Sequence, residues 1–296
     1  MTDTKTQHDA LPTGALPYTM TNDYMFRAVL QKNTHALKGF LYALLSLPEE
    51  SIQSVEILNP IQLGETINDK TCVLDIKIRL NHDQIINIEM QVHDLGNWPE
   101  RSLTYLCRSF DNLQKGEDYI NVRTTIHIGI VNFDIPGLTP EFYSEFKLMN
   151  TKNHEVYSDK FILRVLNLNV LKDASTKMNL TDLYDWAKLL KATTWEELDM
   201  LAKKNTYIED TVVTFRQMTE DEKIREQCEA REKYNWDMAS AIAKGKSEGY
   251  AEGKSEGEKR LATLINILIQ NGLSDEIPKV TTDSEYREAL YKQYKL

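Results

Sequence analysis

Two neighbouring segments of alternating polarity constrain the fold of this chain more than any other feature of its sequence. Apolar and polar residues alternate along 71–80 and again along 84–93. Because successive side chains of a strand point to opposite faces, this pattern predicts two strands with one apolar and one polar face each. Asn81, His82 and Asp83 lie between them and are typical of a tight turn. The sequence therefore predicts an antiparallel hairpin.

The length of this turn sets which residues of the two strands lie opposite each other. If Leu80 pairs with Gln84, Asp75 lies directly opposite Glu89 on the polar face. Opposed residues have Cβ atoms about 4.5–5.5 Å apart, and like charges there are unfavourable. The two carboxylates therefore predict a bound cation, and Mg²⁺ or Mn²⁺ prefers such oxygen ligands. Gln91 points to the same face.

An ordinary solvated hairpin is the alternative interpretation of the same pattern. Lys77 and Arg79 share the polar face with Asp75, and surface ion pairs with them would neutralise the two acids without a metal. The spacing of residues leaves both interpretations open.

Hydrophobic periodicity places this hairpin within a larger α/β order. A helix is predicted from Asn22 to Leu47, with Thr21 or Asn22 as its cap and Asp23 in its first turn. The order of helix, three strands, helix and strand predicts an α/β core with a mixed sheet flanked by helices. The other predicted elements of this core are strands over 55–59, 123–133 and 160–170 and a helix over 98–115.

The remainder of the chain is predicted to be an α-helical C-terminal extension. Within it, Gly245, Gly249, Gly253 and Gly257 recur every four residues and so lie near one face of a helix. They predict either a solvated linker or a groove for self-association, and an amphipathic helix follows over 261–272. The predicted divisions are a flexible arm over 1–20, a core over 21–175, a helical region over 176–238 and the repeat segment over 239–296.

Charge and cysteine content exclude several classes of protein. The net charge of -10 excludes a passive coat for nucleic acid, because phosphate contacts require a basic surface. Cys72, Cys107 and Cys228 form no CxxC motif, which makes a disulfide framework or a structural zinc site unexpected. No apolar run reaches the length of a membrane span, and the first residues lack the apolar region of a signal peptide. We therefore expect a cytoplasmic protein with no membrane partner.

Several motifs, taken in order, resemble the PD-(D/E)XK nuclease superfamily and, within it, the recombination-promoting nuclease (Rpn) family. Asn22-Asp23-Tyr24-Met25-Phe26-Arg27 resembles the opening N-D-x-x-F-K of that family, and Asp75 followed by Glu89-Met90-Gln91 matches its D…E-x-Q. The likeness covers about residues 20–272. The other matching segments are Arg101–Tyr119, which ends in G-x-x-Y, the strand 126–130, Asp185-Trp186, the stretch 230–233 and the glycine repeat.

This resemblance implies a restriction-endonuclease-like core and Mg²⁺-dependent cleavage of DNA, with Mn²⁺ as a substitute ion. Asp75 and Glu89 would hold the metal, and Gln91 and Asp23 would complete the catalytic set. Gln91 stands where the superfamily usually has Lys, so this position supplies hydrogen bonds rather than charge. The expected partners are double-stranded DNA and a second copy of the chain bound through the C-terminal helices. The alternative is a nuclease fold that has lost its chemistry and serves as a binding module.

Overall fold

The computed structural model describes residues 12–59, 61–62, 72–73, 75–171 and 181–296. Residues 1–11 of the predicted arm, positions 71 and 74 of the first hairpin strand and the predicted boundary at 175–176 lie outside these residues. The chain forms two compact units, Met1–Asn235 and Trp236–Leu296.

The first unit contains eight strands, six helices and the start of a seventh helix among the described residues. Its strands are β1 Val55–Ile57, β2 Ile61–Gln62, β3 Cys72–Val73, β4 Ile76–Leu80, β5 Gln84–Gln91, β6 Thr124–Val131, β7 Tyr143–Lys147 and β8 Phe161–Asn167. Its helices are α1 Asp23–Lys32, α2 Thr34–Leu45, α3 Trp98–Phe110, α4 Thr181–Lys191, α5 Trp195–Ala202 and α6 Thr206–Glu220, followed by α7 Glu222–Gln270, which continues into the second unit.

Six of these strands form one mixed sheet in the order β1-β4-β5-β6-β8-β7. The pairs β1–β4, β4–β5 and β7–β8 are antiparallel, whereas β5–β6 and β6–β8 are parallel. The prediction of an α/β core with a mixed sheet and flanking helices is confirmed. The edge strand β7 was not predicted, because its sequence YSEFK shows little apolar alternation.

The predicted helix 22–47 is two helices that meet at Asn33. The backbone of Asn33 is extended, with φ −119° and ψ 98°, and its side chain caps α2 by accepting from the Ala36 N–H. Asn22 is the cap of α1, where its Oδ1 accepts from the backbone of Tyr24 and Met25. Asn22 is thus confirmed as the capping residue.

The apolar faces of β4 and β5 lie in the main hydrophobic core with helices α1, α2, α4, α5 and α6. Helix α3 belongs to a second cluster, in which Trp98 packs with Val131 and Val165. A Cβ at Gly129 would lie 2.0 Å from the Trp98 ring, so only glycine allows α3 to lie this close to β6.

The segment before α1 departs from the loose arm predicted for 1–20. Ala15 forms a β-bridge with Thr194, and the Leu16 N–H donates to the Thr193 carbonyl at 2.8 Å. Tyr18 and Met20 are buried in the main core. Burial of these apolar side chains holds the segment against the core, although its sequence has no regular hydrophobic period.

The second unit contains the rest of α7 with α8 Ile277–Thr282 and α9 Ser284–Tyr294. The predicted helix over 261–272 is the end of α7, and its Leu264 and Leu268 are fully buried with Val280 inside this unit. A Cβ at any of the four repeat glycines would meet no heavy atom of the described residues within 4 Å. Among the described residues, no helix has the length and apolarity that a membrane span requires.

Candidate metal centre

The hairpin turn places the two predicted metal ligands at the same level of the sheet. Leu80 pairs with Gln84, and the ladder continues to Ile76 opposite Ile88. One further step of this register sets Asp75 opposite Glu89, as the length of the turn predicts. Asn81 and His82 adopt positive φ angles of 49° and 65°. Asn tolerates this conformation, and Asn81 Oδ1 fixes the turn by accepting from the N–H groups of residues 53 and 54.

Asp75 lies immediately before β4, where the backbone of the neighbouring strand orients its carboxylate. The Met90 N–H donates to Asp75 Oδ2 at 2.7 Å, and Arg27 Nε lies 3.9 Å from Oδ1. Gln31 Nε2 donates to the Asp75 backbone carbonyl at 3.2 Å and so ties the residue to α1. The carboxylate is therefore held by groups of β5 and α1.

Glu89 is almost fully buried, with 2% of its surface exposed. Arg101 of α3 donates to a single oxygen, Oε1, through Nε at 2.7 Å and through Nη2. The second oxygen, Oε2, is buried and has no hydrogen-bond partner among the described residues. Arg101 thus satisfies one side of this carboxylate and leaves the other available to a ligand.

Like Glu89, Gln91 has one side-chain polar atom in a hydrogen bond and one without a partner among the described residues. Its Nε2 donates to the His93 backbone carbonyl at 3.2 Å. Its Oε1 is buried and, in the part of the chain that the structure describes, has no donor within reach. The hydrogen bond at Nε2 identifies that atom as the amide nitrogen and leaves an oxygen acceptor unoccupied.

Asp23 occupies the first turn of α1 and is bound by a residue that sequence spacing did not reveal. Arg231 of α7 donates from Nε to Oδ1 at 2.8 Å, and its Nη2 lies 2.5 Å from Oδ2. Asn22 supports the same contact by donating from Nδ2 to the Cys228 carbonyl at 3.2 Å. The only sequence signal for Arg231 was the family resemblance of the stretch 230–233.

A sequence model of the family described as PD-(D/E)XK nuclease family transposase matches residues 20–245. The chain belongs to this family. No curated protein and no solved structure matches it significantly. Membership confirms the resemblance seen in the sequence and supports a nuclease-type function with DNA as the class of substrate. PD-(D/E)XK nucleases generally use divalent metal ions.

The oxygen atoms of this PD-(D/E)XK protein fit a hard divalent cation. Among the described residues, Glu89 Oε2 and Gln91 Oε1 are buried acceptors with no donor, and Asp75 supplies a second carboxylate beside Glu89. Oxygen ligands of this kind suit Mg²⁺ or Mn²⁺ rather than zinc. No group of three or more His, Cys, Asp and Glu in a metal-binding arrangement occurs among the described residues, so the two carboxylates are the candidate ligands and the Gln91 amide oxygen lies beside them.

Ionisation of the buried Asp75 and Glu89 carboxyl groups is unfavourable in the absence of a bound cation. Burial raises the pKa of Asp75 to about 7, against the opposing hydrogen bond from Met90. Burial also raises the pKa of Glu89 to about 8; the charge of Asp75 adds to this rise, and Arg101 opposes it. A bound divalent ion would favour the ionised form of both groups, so the binding of metal is coupled to the release of protons.

A second set of buried polar groups lies between α3 and the sheet of this PD-(D/E)XK fold. Asn87 donates to Ser109 Oγ at 2.6 Å, whereas neither ring nitrogen of His127 has a hydrogen-bond partner among the described residues. The His127 ring lies 6.1 Å from the rings of Trp98 and Tyr105. Burial lowers the pKa of His127 to about 3, and the charge of Arg101 acts in the same direction, so the imidazole is neutral at pH 7.

Proposed function

We propose that this chain is a Mg²⁺-dependent DNA endonuclease that acts in recombination or on mobile elements. The observation that carries the proposal is the pair of facing carboxylates, Asp75 and Glu89. Beside them are the oxygens of Glu89 and Gln91 that have no hydrogen-bond partner in the described part of the chain. Family membership supplies the reaction class, which is hydrolysis of phosphodiester bonds. Double-stranded DNA is the proposed substrate.

Each residue of the site has a distinct role in this proposal. Asp75 and Glu89 hold the metal, with their orientation fixed by the Met90 N–H and by Arg101 respectively. A divalent ion held there would polarise the scissile phosphate and lower the pKa of a bound water. Gln91 Oε1 accepts a hydrogen bond from the attacking water and so orients it toward phosphorus.

Asp23 is assigned a positioning role within the same site. Both of its oxygens face the Arg231 guanidinium, so we assign Asp23 to hold this arginine rather than the metal. Its carboxylate instead keeps the Arg231 guanidinium in one place, because a fork of two parallel hydrogen bonds defines the geometry of both partners.

A binding module without nuclease activity is the competing function. The net charge of -10 and the neutral Gln91 favour it, because both leave less positive charge for phosphate than an active nuclease needs. A module of this kind has no need of Mg²⁺, whereas the proposed nuclease gains stability from the ion according to its affinity.

Nicking of supercoiled plasmid in Mg²⁺ tests the proposal. The informative variants are Asp75→Asn and Glu89→Gln, which keep the shape of each side chain and remove its charge. Glu100→Gln is the matched control, since Glu100 is exposed on α3 next to Arg101. We expect nicking by the wild type and by the control and none by the two site variants. Equal nicking by all four purified, folded proteins would show a contaminating nuclease and overturn the assignment.

A further inference from the structure

We propose that Arg27, Arg101 and Arg231 form a rim that binds the backbone phosphates of DNA above the carboxylates of the candidate site. This inference rests on the proposed function, because it names the residues that hold the substrate of that site. It assigns to Arg231, which lies 208 residues after its partner Asp23, a direct contact with DNA.

Each arginine is paired with one carboxylate of the site, and in each pair the guanidinium side is the more exposed. The exposed fractions of the side chains are 28% for Arg27 against 13% for Asp75, and 33% for Arg101 against 3% for Glu89. For Arg231 and Asp23 they are 42% and 9%. In each of the three pairs, the carboxylate is therefore the buried member and the arginine is the member closer to solvent.

The three arginines come from three helices, and all of them act on the same carboxylate. Arg27 lies on α1, Arg101 on α3 and Arg231 on α7. All three interact electrostatically with the Asp75 carboxylate. A phosphate above Asp75 would therefore lie within the field of all three positive charges.

The hydrogen-bond capacity of these side chains is only partly used. Arg231 and Arg101 each direct Nε and Nη2 at their carboxylates. Among the described residues, neither Nη1 group has a hydrogen-bond partner, so both remain for another acceptor. Arg27 Nε is buried with no hydrogen-bond partner in the described part of the chain, and its guanidinium lies 5.4 Å from the Tyr24 ring. A guanidinium presents five N–H donors, and phosphate oxygens match their geometry.

The charge that develops during phosphodiester hydrolysis also supports the assignment of the three arginines to phosphate. Hydrolysis of a phosphodiester increases negative charge on the phosphate oxygens, and fixed cations aimed at them stabilise the transition state. Gln91 brings no charge to the strand that carries Glu89. The rim supplies this charge from helices, and the carboxylate partners keep each guanidinium in place before the DNA arrives.

Binding of duplex DNA in EDTA, measured over a range of salt concentrations, tests the rim without cleavage. We compare Arg231→Gln with Lys233→Gln, which removes the same charge from an exposed residue of the same helix. Loss of one phosphate contact lowers the slope of log K against log salt by about 0.9. For Arg231→Gln we expect this smaller slope, about tenfold weaker binding and a raised KM for nicking in Mg²⁺. Lys233→Gln should match the wild type.

A purely structural role of Arg231 would change stability but not the salt slope. An unchanged slope and KM in folded Arg231→Gln overturns the rim, even if the wild type cleaves DNA. If the wild type never nicks DNA but Arg231→Gln still lowers the salt slope, the result supports the rim and rejects the nuclease assignment instead. If Arg231→Gln fails to fold because Asp23 is left buried and unpaired, the double variant Asp23→Asn/Arg231→Gln removes both charges and gives the same readout.

Discussion

Gln91 and His93 are joined by a hydrogen bond from the side-chain Nε2 of Gln91 to the backbone carbonyl of His93, at 3.2 Å. This bond fixes which end of the amide faces the site, and it leaves Oε1 as a buried acceptor. A lysine at this position would replace the acceptor by a donor. The neutral side chain is thus suited to accept a hydrogen bond from water, which a lysine ammonium group cannot do.

Gln91→Met should therefore weaken the response to metal while the protein stays folded. Met removes the acceptor at nearly constant volume, and loss of a group that supports a metal site reduces affinity by about 10- to 100-fold. The measurement is the concentration of Mg²⁺ at half-maximal thermal stabilisation. Gln91→Glu, which retains an oxygen acceptor, serves as the control and should respond at or below the wild-type concentration. A wild-type response from Gln91→Met would contradict the role given to Oε1.

The stability of the metal-free protein should fall as pH rises from about 4 to 8. The pKa values of Asp75 and Glu89 are raised to about 7 and about 8, whereas both carboxyls ionise near pH 4 in the unfolded chain. The folded state therefore binds more protons in this interval, and its advantage is complete below pH 4 and lost as pH passes the raised values. Melting temperatures in EDTA measure the slope, which Asp75→Asn/Glu89→Gln should flatten. An equally steep fall in the double variant would assign it to other groups.

Arg101→Gln should destabilise the protein more in EDTA than in Mg²⁺. Without Arg101, Glu89 Oε1 loses two donors in a site where 2% of the residue is exposed. A buried acceptor left unsatisfied costs about 1–3 kcal/mol, and a bound cation offsets part of that loss. Urea denaturation with and without Mg²⁺ measures both values. The same loss under both conditions would show that Glu89 does not hold the ion.

His127→Leu should make the protein more stable relative to wild type in acid. The neutral His127 has a pKa lowered to about 3, so its contribution to stability is present above pH 6.5 and is lost as pH falls. At pH 5 the unfolded histidine is protonated and the buried one is not, which costs the wild type about 2 kcal/mol. The difference between the unfolding free energies of variant and wild type should therefore shift by this amount between pH 8 and pH 5. A constant difference would show that the imidazole is protonated in the folded protein.

Truncation after Met238 should preserve nicking, because Arg231 and every other proposed site residue lie in the first compact unit. Leu264 and Leu268 are buried inside the second unit and are not free to join two copies. Any self-association through this unit must therefore use other groups, such as the exposed Trp236 and Tyr250. Light scattering of the full chain and of Trp236→Gln/Tyr250→Gln tests this point, and an unchanged mass would exclude these two side chains. Inactivity of a well-folded truncated chain would place part of the site beyond Met238.

Local pattern was sufficient to predict the hairpin, since both its register and its polar face depend on residues close in sequence. The pairing of Leu80 with Gln84 follows from the three-residue turn, and the position of Asp75 follows from that pairing. The break at Asn33 was missed because one residue serves both as the end of α1 and as the cap of α2. Periodicity of apolar residues continues across such a junction without interruption.

The arginine partners could not be predicted from spacing. Arg231 meets Asp23 across 208 residues of chain, and no pattern within α7 distinguishes it from its charged neighbours. For the apolar residues at the end of α7, the spacing was recognised but the element that buries them was not. Leu264 and Leu268 have the spacing of an interaction surface, but α8 and α9 fold back within the same unit and cover them. Amphipathic spacing predicts that a face is buried and does not identify what buries it.

The turn at 81–83 makes the candidate site sensitive to insertions and deletions in a way that substitutions do not reveal. Inserting one residue there changes the register by one, and a strand that slips by one residue turns every side chain to the opposite face. Glu89 would then enter the apolar core, and Ile88 or Met90 would take its place beside Asp75. Natural or engineered variation of this protein should therefore conserve the number of turn residues, together with residues at 81 and 82 that tolerate positive φ angles.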